Sequence, residues 1–258
     1  MRPVRVLITN DDGVEAPGLL ALTEAVAAAG HDVLVVAPSG QRSGSGAAIG
    51  RLHRSGPIAW TEVTWPSLEG IPVHAIDTSP AAAVYAGVLG AFGPPPDAVA
   101  SGINPGMNSG HLVLHSGTVG AALTAGMLGI PAVAVSIAWS EHPHWDTAGA
   151  LVPPALDWLA TIPGEASVLN LNVPDVPLTQ LRGVRAAGLA PFLEQWSATT
   201  RPGELLLEYV GRDASPPPGT DLAVALDGYA SVTLLHGVAS SEPGGAAEAV
   251  GAILGGLA

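Results

Sequence analysis

Residues 4–19, VRVLITNDDGVEAPGL, constrain the fold of this chain more than any other segment. The apolar, β-branched run from Val4 to Thr9 predicts a buried strand. Pro17 then opens an Ala- and Leu-rich pattern that extends to Ala29 and predicts a helix. The connecting residues 10–13, NDDG, are polar loop formers. A strand, a loop and a helix in this order are typical of a parallel α/β sheet.

Strand and helix patterns continue to alternate over the first two-thirds of the chain. Further strands are predicted at residues 31–37, 71–76, 97–102, 132–137 and 168–174, and helices at residues 80–92, 118–128 and 145–161. This alternation predicts an α/β fold with a Rossmann-like, mostly parallel sheet and helices on both of its faces.

The last third of the chain has a different pattern. Residues 204–210 and 222–235 have strand character and flank the loop GRDASPPPGTD. They predict an antiparallel hairpin or an extended arm, and not another strand–helix–strand unit. A short helix is predicted at residues 246–257.

The chain has no internal repeat and no linker long enough to separate independent domains, so we expect a single domain over residues 1–258. Its core covers about residues 1–175, and the hairpin and final helix form an extension over about residues 176–258. No apolar stretch reaches the roughly 20 residues of a membrane span. The start, MRPVRVLITN, lacks the apolar core of a signal peptide, so we expect a cytoplasmic protein without a membrane partner.

The charge balance limits the partners of the protein. The chain has 22 Asp and Glu residues against nine basic residues, all of them arginine, and a formal net charge of −13. Because phosphate backbones and anionic membranes bind basic surfaces, we expect no nucleic-acid polymer as a partner. A small phosphorylated molecule stays compatible, since a bound metal ion can supply local positive charge. The absence of cysteine excludes thiolate metal sites and thiol nucleophiles.

Polar residues follow three of the predicted strands, and the carboxyl ends of parallel strands share one edge of the sheet. They are Asn10, Asp11 and Asp12 after the first strand, Arg42, Ser43 and Ser45 after the second, and Ser101, Asn104 and Asn108 in SGINPGMNSG. Taken alone, an Asp-Asp-Gly sequence is more typical of helix caps and turns. Pooled at one edge, the carboxylate, hydroxyl and amide oxygens suit Mg²⁺ or Mn²⁺ and do not suit zinc.

The segment HSGTVGAALTAG places Ser116, Gly117 and Thr118 at the start of a predicted helix. Free backbone N–H groups, two hydroxyls and the positive end of the helix dipole favour an anion such as phosphate there. An ordinary Ser or Thr cap explains the same residues. A metal site and an anion-binding helix start on one edge together indicate metal-assisted phosphoryl transfer or hydrolysis.

Six segments now resemble one known family, the SurE family of metal-dependent phosphatases, also described as survival-protein 5′/3′-nucleotidases. They are ITNDDGVEAPGL, APSGQRSG, SGINPGMNSG, HSGTVGAALTAG, LNLNVP and PGTDLAVALDGYASVT, and they match in register from residue 4 to about residue 235. The resemblance implies hydrolysis of nucleoside 5′-monophosphates, and also of 3′-monophosphates, to nucleoside and phosphate.

The resemblance also implies roles for individual residues. It implies a single divalent ion per subunit, Mg²⁺ or Mn²⁺, held by Asp11, Asp12, Ser43 and Asn104, with Asp11 and Asp12 at the catalytic centre. It implies that the phosphate group of the substrate contacts Asn10, Asn108, Ser116, Gly117 and Thr118. A homodimer or homotetramer is implied as well, in which the C-terminal hairpin reaches a neighbouring subunit.

The chain departs from the family pattern away from the metal ligands. DTSPAAAVY replaces the usual GTPADCVY, with Ala82 where an aspartate is usual, and AALTAG lacks the glutamate of AAMEG. His115 replaces a tyrosine and is a candidate acid for the leaving group, with local packing of a loop histidine as the alternative.

Trp139 and Trp145 flank a loop that a nucleobase could stack on, and for both we expect packing or an interface instead.

These departures keep two other functions open. The chain could be a SurE-like phosphatase that has diverged to a phosphorylated small metabolite, or a non-catalytic nucleotide-binding protein on the same scaffold. The complete set of four ligand residues argues against a mere binding protein. A dinucleotide-dependent oxidoreductase is disfavoured, because NDDG and not a Gly-rich turn follows the first strand.

Overall fold

The strand order places the predicted polar edge at the centre of a large sheet. A computed structural model describes residues 3–50, 56–162, 167–191, 194–212 and 215–238. Its strands are β1 Arg5–Thr9, β2 Asp32–Pro38, β3 Trp60–Glu62, β4 Val73–Ile76, β5 Ala98–Pro105, β6 Ala132–Ile137, β7 Val168–Val173, β8 Val184–Ala186, β9 Glu194–Arg201, β10 Glu204–Arg212 and β11 Ala230–Leu235. Its α-helices are α1 Pro17–Ala28, α2 Pro80–Val88, α3 Gly117–Met127, α4 Trp145–Ala150, α5 Val152–Leu159 and α6 Asp221–Leu226.

Within the described ranges, nine strands form one sheet in the order β3-β4-β2-β1-β5-β6-β7-β11-β8. The six strands from β4 to β7 are parallel, and β3 and β11 run antiparallel to their neighbours β4 and β7. Counted along the chain, the parallel strands have the Rossmann order 3-2-1-4-5-6. The order reverses between β1 and β5, and open α/β sheets bind ligands beyond the carboxyl ends of the strands at this switch point.

Side chains alternate across the central strands, so the sheet has two buried faces. Val6 and Ile8 of β1 pack in one apolar cluster with Leu19, Leu22 and Val26 of α1 and with residues of α4 and α5. Leu7 lies on the opposite face, in a second cluster formed with α2 and α3. The predicted mostly parallel sheet with helices on both faces is therefore confirmed. Among the described residues, no helix combines the length and apolar character needed to cross a membrane.

The hairpin exists, but its strands are not the predicted pair. Strand β10 pairs antiparallel with β9, Glu194–Arg201, across a turn at Gly203. The prediction of a strand over residues 222–235 is wrong in its first half, because α6 occupies Asp221–Leu226. The second half is β11, which pairs with β7 in the main sheet. The apolar run LAVAL fits a short helix as well as a strand, and periodicity alone does not separate the two at this length.

Two helices end earlier than predicted. The helix expected over residues 80–92 stops at Val88, before Gly90 with a φ of +81°. The helix expected over residues 145–161 is broken into α4 and α5, because two prolines follow Val152 and lack the backbone N–H groups that a continuous helix needs. The helix predicted at residues 246–257 lies outside the described residues.

Candidate functional site

The loop that follows β1 is closed by Asn10. Its side chain is fully buried. The amide nitrogen Nδ2 donates to the carbonyl oxygen of Gly13 at 3.0 Å, and Oδ1 accepts from the Gly13 backbone N–H at 3.2 Å. Both ends of the Asn10 amide are therefore used in fixing the loop that carries the two aspartates. Its contact with phosphate stays a prediction.

Asp11 lies against the first turn of α3. Its side chain is buried, and the Thr118 hydroxyl donates to Asp11 Oδ1 at 2.5 Å. A Cβ atom added to Gly117 would lie 2.7 Å from Asp11 Cβ and 2.7 Å from Asp11 Oδ2, so only glycine fits at this approach. The structure thus brings the predicted aspartate and the predicted anion-binding helix start into direct contact.

Asp12 is held in a setting that disfavours its negative charge. Its side chain is half-buried, and Oδ2 is buried without a hydrogen-bond partner among the described residues. Burial first, and then the neighbouring charge of Asp11, raise the pKa of Asp12 to about 6, although a hydrogen bond from the Gln41 side chain opposes the rise. A buried carboxylate oxygen without a partner, beside a second carboxylate, fits a site for a cation.

The other two predicted metal ligands lie on the loop after β2 and near the end of β5. The Arg42 backbone N–H donates to the Asp11 carbonyl oxygen at 2.6 Å, and the next residue, Ser43, is exposed. Asn104, near the end of β5, donates its amide nitrogen to the Gly106 carbonyl at 2.6 Å. Its side-chain oxygen Oδ1 is consequently the atom left for a ligand.

The donor set at this edge contains oxygen only. Over the described ranges, no group of three or more His, Cys, Asp or Glu side chains could hold a metal ion. A metal at the edge would therefore rest on two carboxylates supplemented by the Ser43 hydroxyl and the Asn104 amide. Such hard oxygen ligands fit Mg²⁺ or Mn²⁺, so the residues present fit the ion that the sequence predicts.

Ser116 caps α3 and lies beside an exposed histidine. The Ser116 Oγ accepts from the Val119 N–H at 3.1 Å, as the alternative cap interpretation requires. Accepting this bond leaves its hydroxyl hydrogen free to donate. The carbonyl of His115 accepts from the Gly46 N–H at 3.1 Å, which ties the loop after β2 to the start of α3. The His115 side chain is exposed.

Asn108 is supported from below by two residues that the sequence analysis did not assign to the site. Its backbone carbonyl accepts from the side-chain amides of Asn170 and Asn172 at 2.8 and 3.0 Å, and its own Nδ2 donates to Ser136 Oγ at 2.9 Å. Asn170 and Asn172 are both fully buried in β7. The signal was visible in LNLNVP, where two amides interrupt an apolar buried strand.

Asp221 is a second missed support. It is fully buried and accepts from the backbone N–H groups of Gly110 at 2.7 Å, Ala190 at 2.9 Å and Leu222 at 2.8 Å. The carboxylate therefore joins the loop after β5 to the C-terminal part of the chain. The segment PGTD contained the residue, but no sequence pattern indicated what an aspartate at this position contacts.

The N-terminus of α4 is anchored at the same edge by Asp175. Its Oδ1 accepts from the backbone N–H of His144 at 2.7 Å and contacts the ring Nδ1 of His144 at 2.8 Å. Burial raises the pKa of the Asp175 carboxyl, but the neighbouring Ser140 hydroxyl and the hydrogen bonds from the backbone and ring of His144 outweigh it, and the net direction is downward.

We expect Asp175→Asn to lower the free energy of unfolding near neutral pH and to matter less in acid. A carboxyl with a lowered folded-state pKa stabilises the fold above its unfolded-state pKa of about 4. That contribution is lost as the pH falls through the folded-state value. Urea denaturation of both proteins at pH 7 and at pH 3 measures the difference, and a difference that stays constant with pH would contradict the assignment.

Comparison with known proteins gives a consistent result. The family model for survival protein SurE matches residues 6–194. Proteins named 5′/3′-nucleotidase SurE from Escherichia coli O127:H6 and Shigella boydii serotype 18 are each 38% identical over 243 residues, which is 90% of this chain and 90% of theirs. The crystal structure of the SurE protein from Aquifex aeolicus superposes with a TM-score of 0.77 at 27% identity, covering 97% of this chain and 99% of that one. The chain belongs to the SurE family.

Proposed function

We propose that this protein is a divalent-metal-dependent phosphomonoesterase that hydrolyses nucleoside 5′-monophosphates, and also 3′-monophosphates, to nucleoside and phosphate. The observation that carries the proposal is the contact between Asp11 and the first turn of α3, at the switch point of the sheet. It joins Asp11, which we propose as a ligand of the cation, to the helix start that we propose as the phosphate site. The names of the relatives, 5′/3′-nucleotidase, support the substrate class.

The metal would be held by Asp11, Asp12, Ser43 and Asn104. When bound, a divalent cation supplies positive charge beside the phosphate oxygens and neutralises the charge that develops on them. The unbonded Oδ2 of Asp12 supports this assignment, because a buried carboxylate oxygen without any partner is costly.

The start of α3 would hold the remaining phosphate oxygens. The backbone N–H groups of Gly117 and Thr118 belong to the first turn of a helix and have no intrahelical acceptor. The Ser116 hydroxyl hydrogen is free to donate as well. The Thr118 hydroxyl already donates to Asp11, so its side chain orients the carboxylate while its backbone N–H faces the anion site. Thr118 is in this respect a positioning residue.

We propose direct attack by water on phosphorus. The new oxygen–phosphorus bond forms as the bond to the leaving alkoxide breaks; the attacking water releases one proton to solvent, and the alkoxide takes up one proton. His115, exposed next to the start of α3, is the candidate donor of that proton. An aspartyl-phosphate route through Asp11 is disfavoured, because its side chain is only 4% exposed and already accepts a hydrogen bond from Thr118.

Hydrolysis of p-nitrophenyl phosphate tests the proposed class of reaction. Activity should disappear when EDTA removes the metal and return when Mg²⁺ or Mn²⁺ is restored, because the acidic pair is not neutralised without a cation. Activity that survives EDTA would contradict the metal dependence. The absence of hydrolysis with every ion, together with measurable binding of AMP, would favour the non-catalytic binding protein.

We also propose that the protein is a homodimer or homotetramer built through the β9–β10 hairpin. The hairpin is a separate two-stranded sheet, and such ribbons are marginally stable by themselves. Its exposed large apolar residues are Trp196, Leu205, Leu206, Leu207, Tyr209 and Val210. These side chains lie on both faces of the ribbon, so a partner is needed to bury them. The family resemblance favours a second copy of this chain as that partner.

Replacing both Leu205 and Leu207 by Glu should reduce the oligomer to smaller species. The two side chains are 63% and 61% exposed on the same face of β10, and charges there would oppose burial in an interface. Light scattering after gel filtration measures the mass. Leu89→Glu is the matched control, because Leu89 is 77% exposed at the end of α2. A monomeric parent protein, or an unchanged mass in the double variant, would contradict the proposal.

A further inference from the structure

A cavity of about 370 Å³ has Asp12 in its wall. Its wall combines the acidic loop after β1 and the start of α1 with a residue of the loop after β2, the end of β5 and one aromatic side chain of α4. The lining residues used below are Asp12, Glu15, Gln41, Pro105 and Trp145. A volume of this size lies in the range of small-molecule sites. Because the cavity begins at a predicted metal ligand, it is placed to take the organic part of a phosphate ester.

Trp145 is the aromatic wall of this cavity, and its position is fixed by close packing. A Cβ atom added to Gly18 would lie 3.0 Å from Trp145 Cζ3 and 2.1 Å from the Ile103 carbonyl oxygen. The indole therefore lies directly against the backbone at the start of α1. The preceding residue, His144, is anchored to Asp175 through both its backbone N–H and its ring.

The charges around the cavity restrict the group that it can hold. Asp12 and Glu15 supply two carboxylates, and Gln41 supplies an amide. None of the described residues lining the cavity is cationic. A second phosphate or a carboxylate on the substrate would have no partner here and would be repelled. Hydroxyl groups suit this rim, because they can donate to the carboxylate of Glu15.

Trp145 also borders a larger surface groove of about 670 Å³ between α1 and α4. Asp12 does not line that groove. A phosphate ester bound at the acidic pair therefore reaches the smaller cavity first, and the groove carries no argument about the substrate.

We infer that Trp145 sets the substrate specificity of the site by stacking on the planar, uncharged base of the nucleoside that leaves when a nucleoside monophosphate is hydrolysed. The inference rests on the proposed function, which fixes the phosphate at the acidic pair. It revises the expectation that Trp145 only packs. Trp145 makes no contact with the reacting atoms in this arrangement and is a specificity-determining residue.

Two ligands that differ only in the base test the inference. AMP and ribose 5-phosphate share the phosphate and the ribose, so a stacking wall should distinguish them. We expect Trp145→Leu to weaken AMP binding on the order of ten-fold, the scale of base–aromatic stacking, and ribose 5-phosphate binding less than about two-fold. Trp145→Phe should retain most of the AMP affinity. Calorimetry measures binding, and the KM and kcat of hydrolysis are measured in parallel.

The control is Trp158→Leu, because Trp158 is a half-exposed tryptophan on α5 that does not line the cavity. This variant should change the affinity for neither AMP nor ribose 5-phosphate. A Trp145→Leu variant that loses both ligands equally, or neither, would overturn the inference, and hydrolysis by the parent protein would then still support the proposed function. If Trp145→Leu loses only AMP binding while the parent hydrolyses neither ester with any metal ion, the stacking role of Trp145 is supported and the proposed function is contradicted. Equal kcat/KM for both esters in the parent would also overturn the inference, because the base would then contribute nothing to specificity.

Discussion

Asp12→Asn is expected to lower metal-dependent hydrolysis by about 10³-fold or more. The substitution keeps the shape of the side chain but removes one of the two charges that would bind the cation, so the electrostatic stabilisation of the transition state is lost with it. Thr118→Val is the milder comparison. It removes a single hydrogen bond to Asp11 and should cost on the order of ten-fold. Rates with p-nitrophenyl phosphate under saturating Mg²⁺ or Mn²⁺ measure both.

Asp12→Asn should also raise the stability of the metal-free protein. This result separates the loss of a metal ligand from damage to the fold. The pKa of Asp12 is raised to about 6, so ionisation of this carboxyl opposes folding. The cost is absent below the unfolded-state value near 4, grows as the pH rises to about 6, and is constant above it. In EDTA, Asp12→Asn should therefore unfold at a higher temperature than the parent at pH 8, with little difference at pH 3.5. An inactive variant that is also less stable at pH 8 would point to a structural role.

The sequence was sufficient to predict the parallel sheet because its central strands have clear boundaries. NDDG ends β1, and apolar runs of four to eight residues elsewhere are separated by Gly- and Pro-rich turns. The C-terminal third was harder. The short apolar run that forms α6 has no length or periodicity to distinguish it from a strand. The pairing of β11 with β7 joins residues about 60 positions apart, and local patterns do not encode such a contact.

The sequence predicted which residues form the candidate site, but not the hydrogen bonds that hold them in place. Asp11 and Thr118 are 107 positions apart, yet one hydrogen bond joins them. Asn10 was predicted to contact phosphate, but both ends of its side-chain amide form hydrogen bonds with Gly13. Asn170 and Asn172 hold the Asn108 carbonyl from below. The Asn10 bonds are local, but the bonds to Asp11 and to the Asn108 carbonyl depend on which strands become neighbours. That information appears only after the sheet has formed.

Gly117→Ala should produce the second large loss of hydrolysis rate, because it changes the geometry of the site and not its charge. The added methyl group would lie 2.7 Å from Asp11 Cβ and Oδ2 and 2.8 Å from Ser45 Oγ. Either α3 shifts or the Asp11 carboxylate turns away, and both movements break its bond with Thr118. A displacement of about 1 Å at a reacting centre can cost 10²-fold in rate, so we expect a loss of that order. Overpacking should also destabilise the fold by about 1–3 kcal/mol.

Gly188→Ala is the matched control, because a Cβ atom at Gly188 meets nothing within 4 Å. It should keep full activity and change the free energy of unfolding by less than about 0.5 kcal/mol. Assays well below the melting temperature separate the loss of rate from the loss of stability, and the Mg²⁺ affinity of Gly117→Ala should fall together with its rate. A variant that keeps both would show that Asp11 tolerates displacement. In that case the first turn of α3 would not position the acidic pair, and the phosphate site proposed there would have to be sought at another part of the edge.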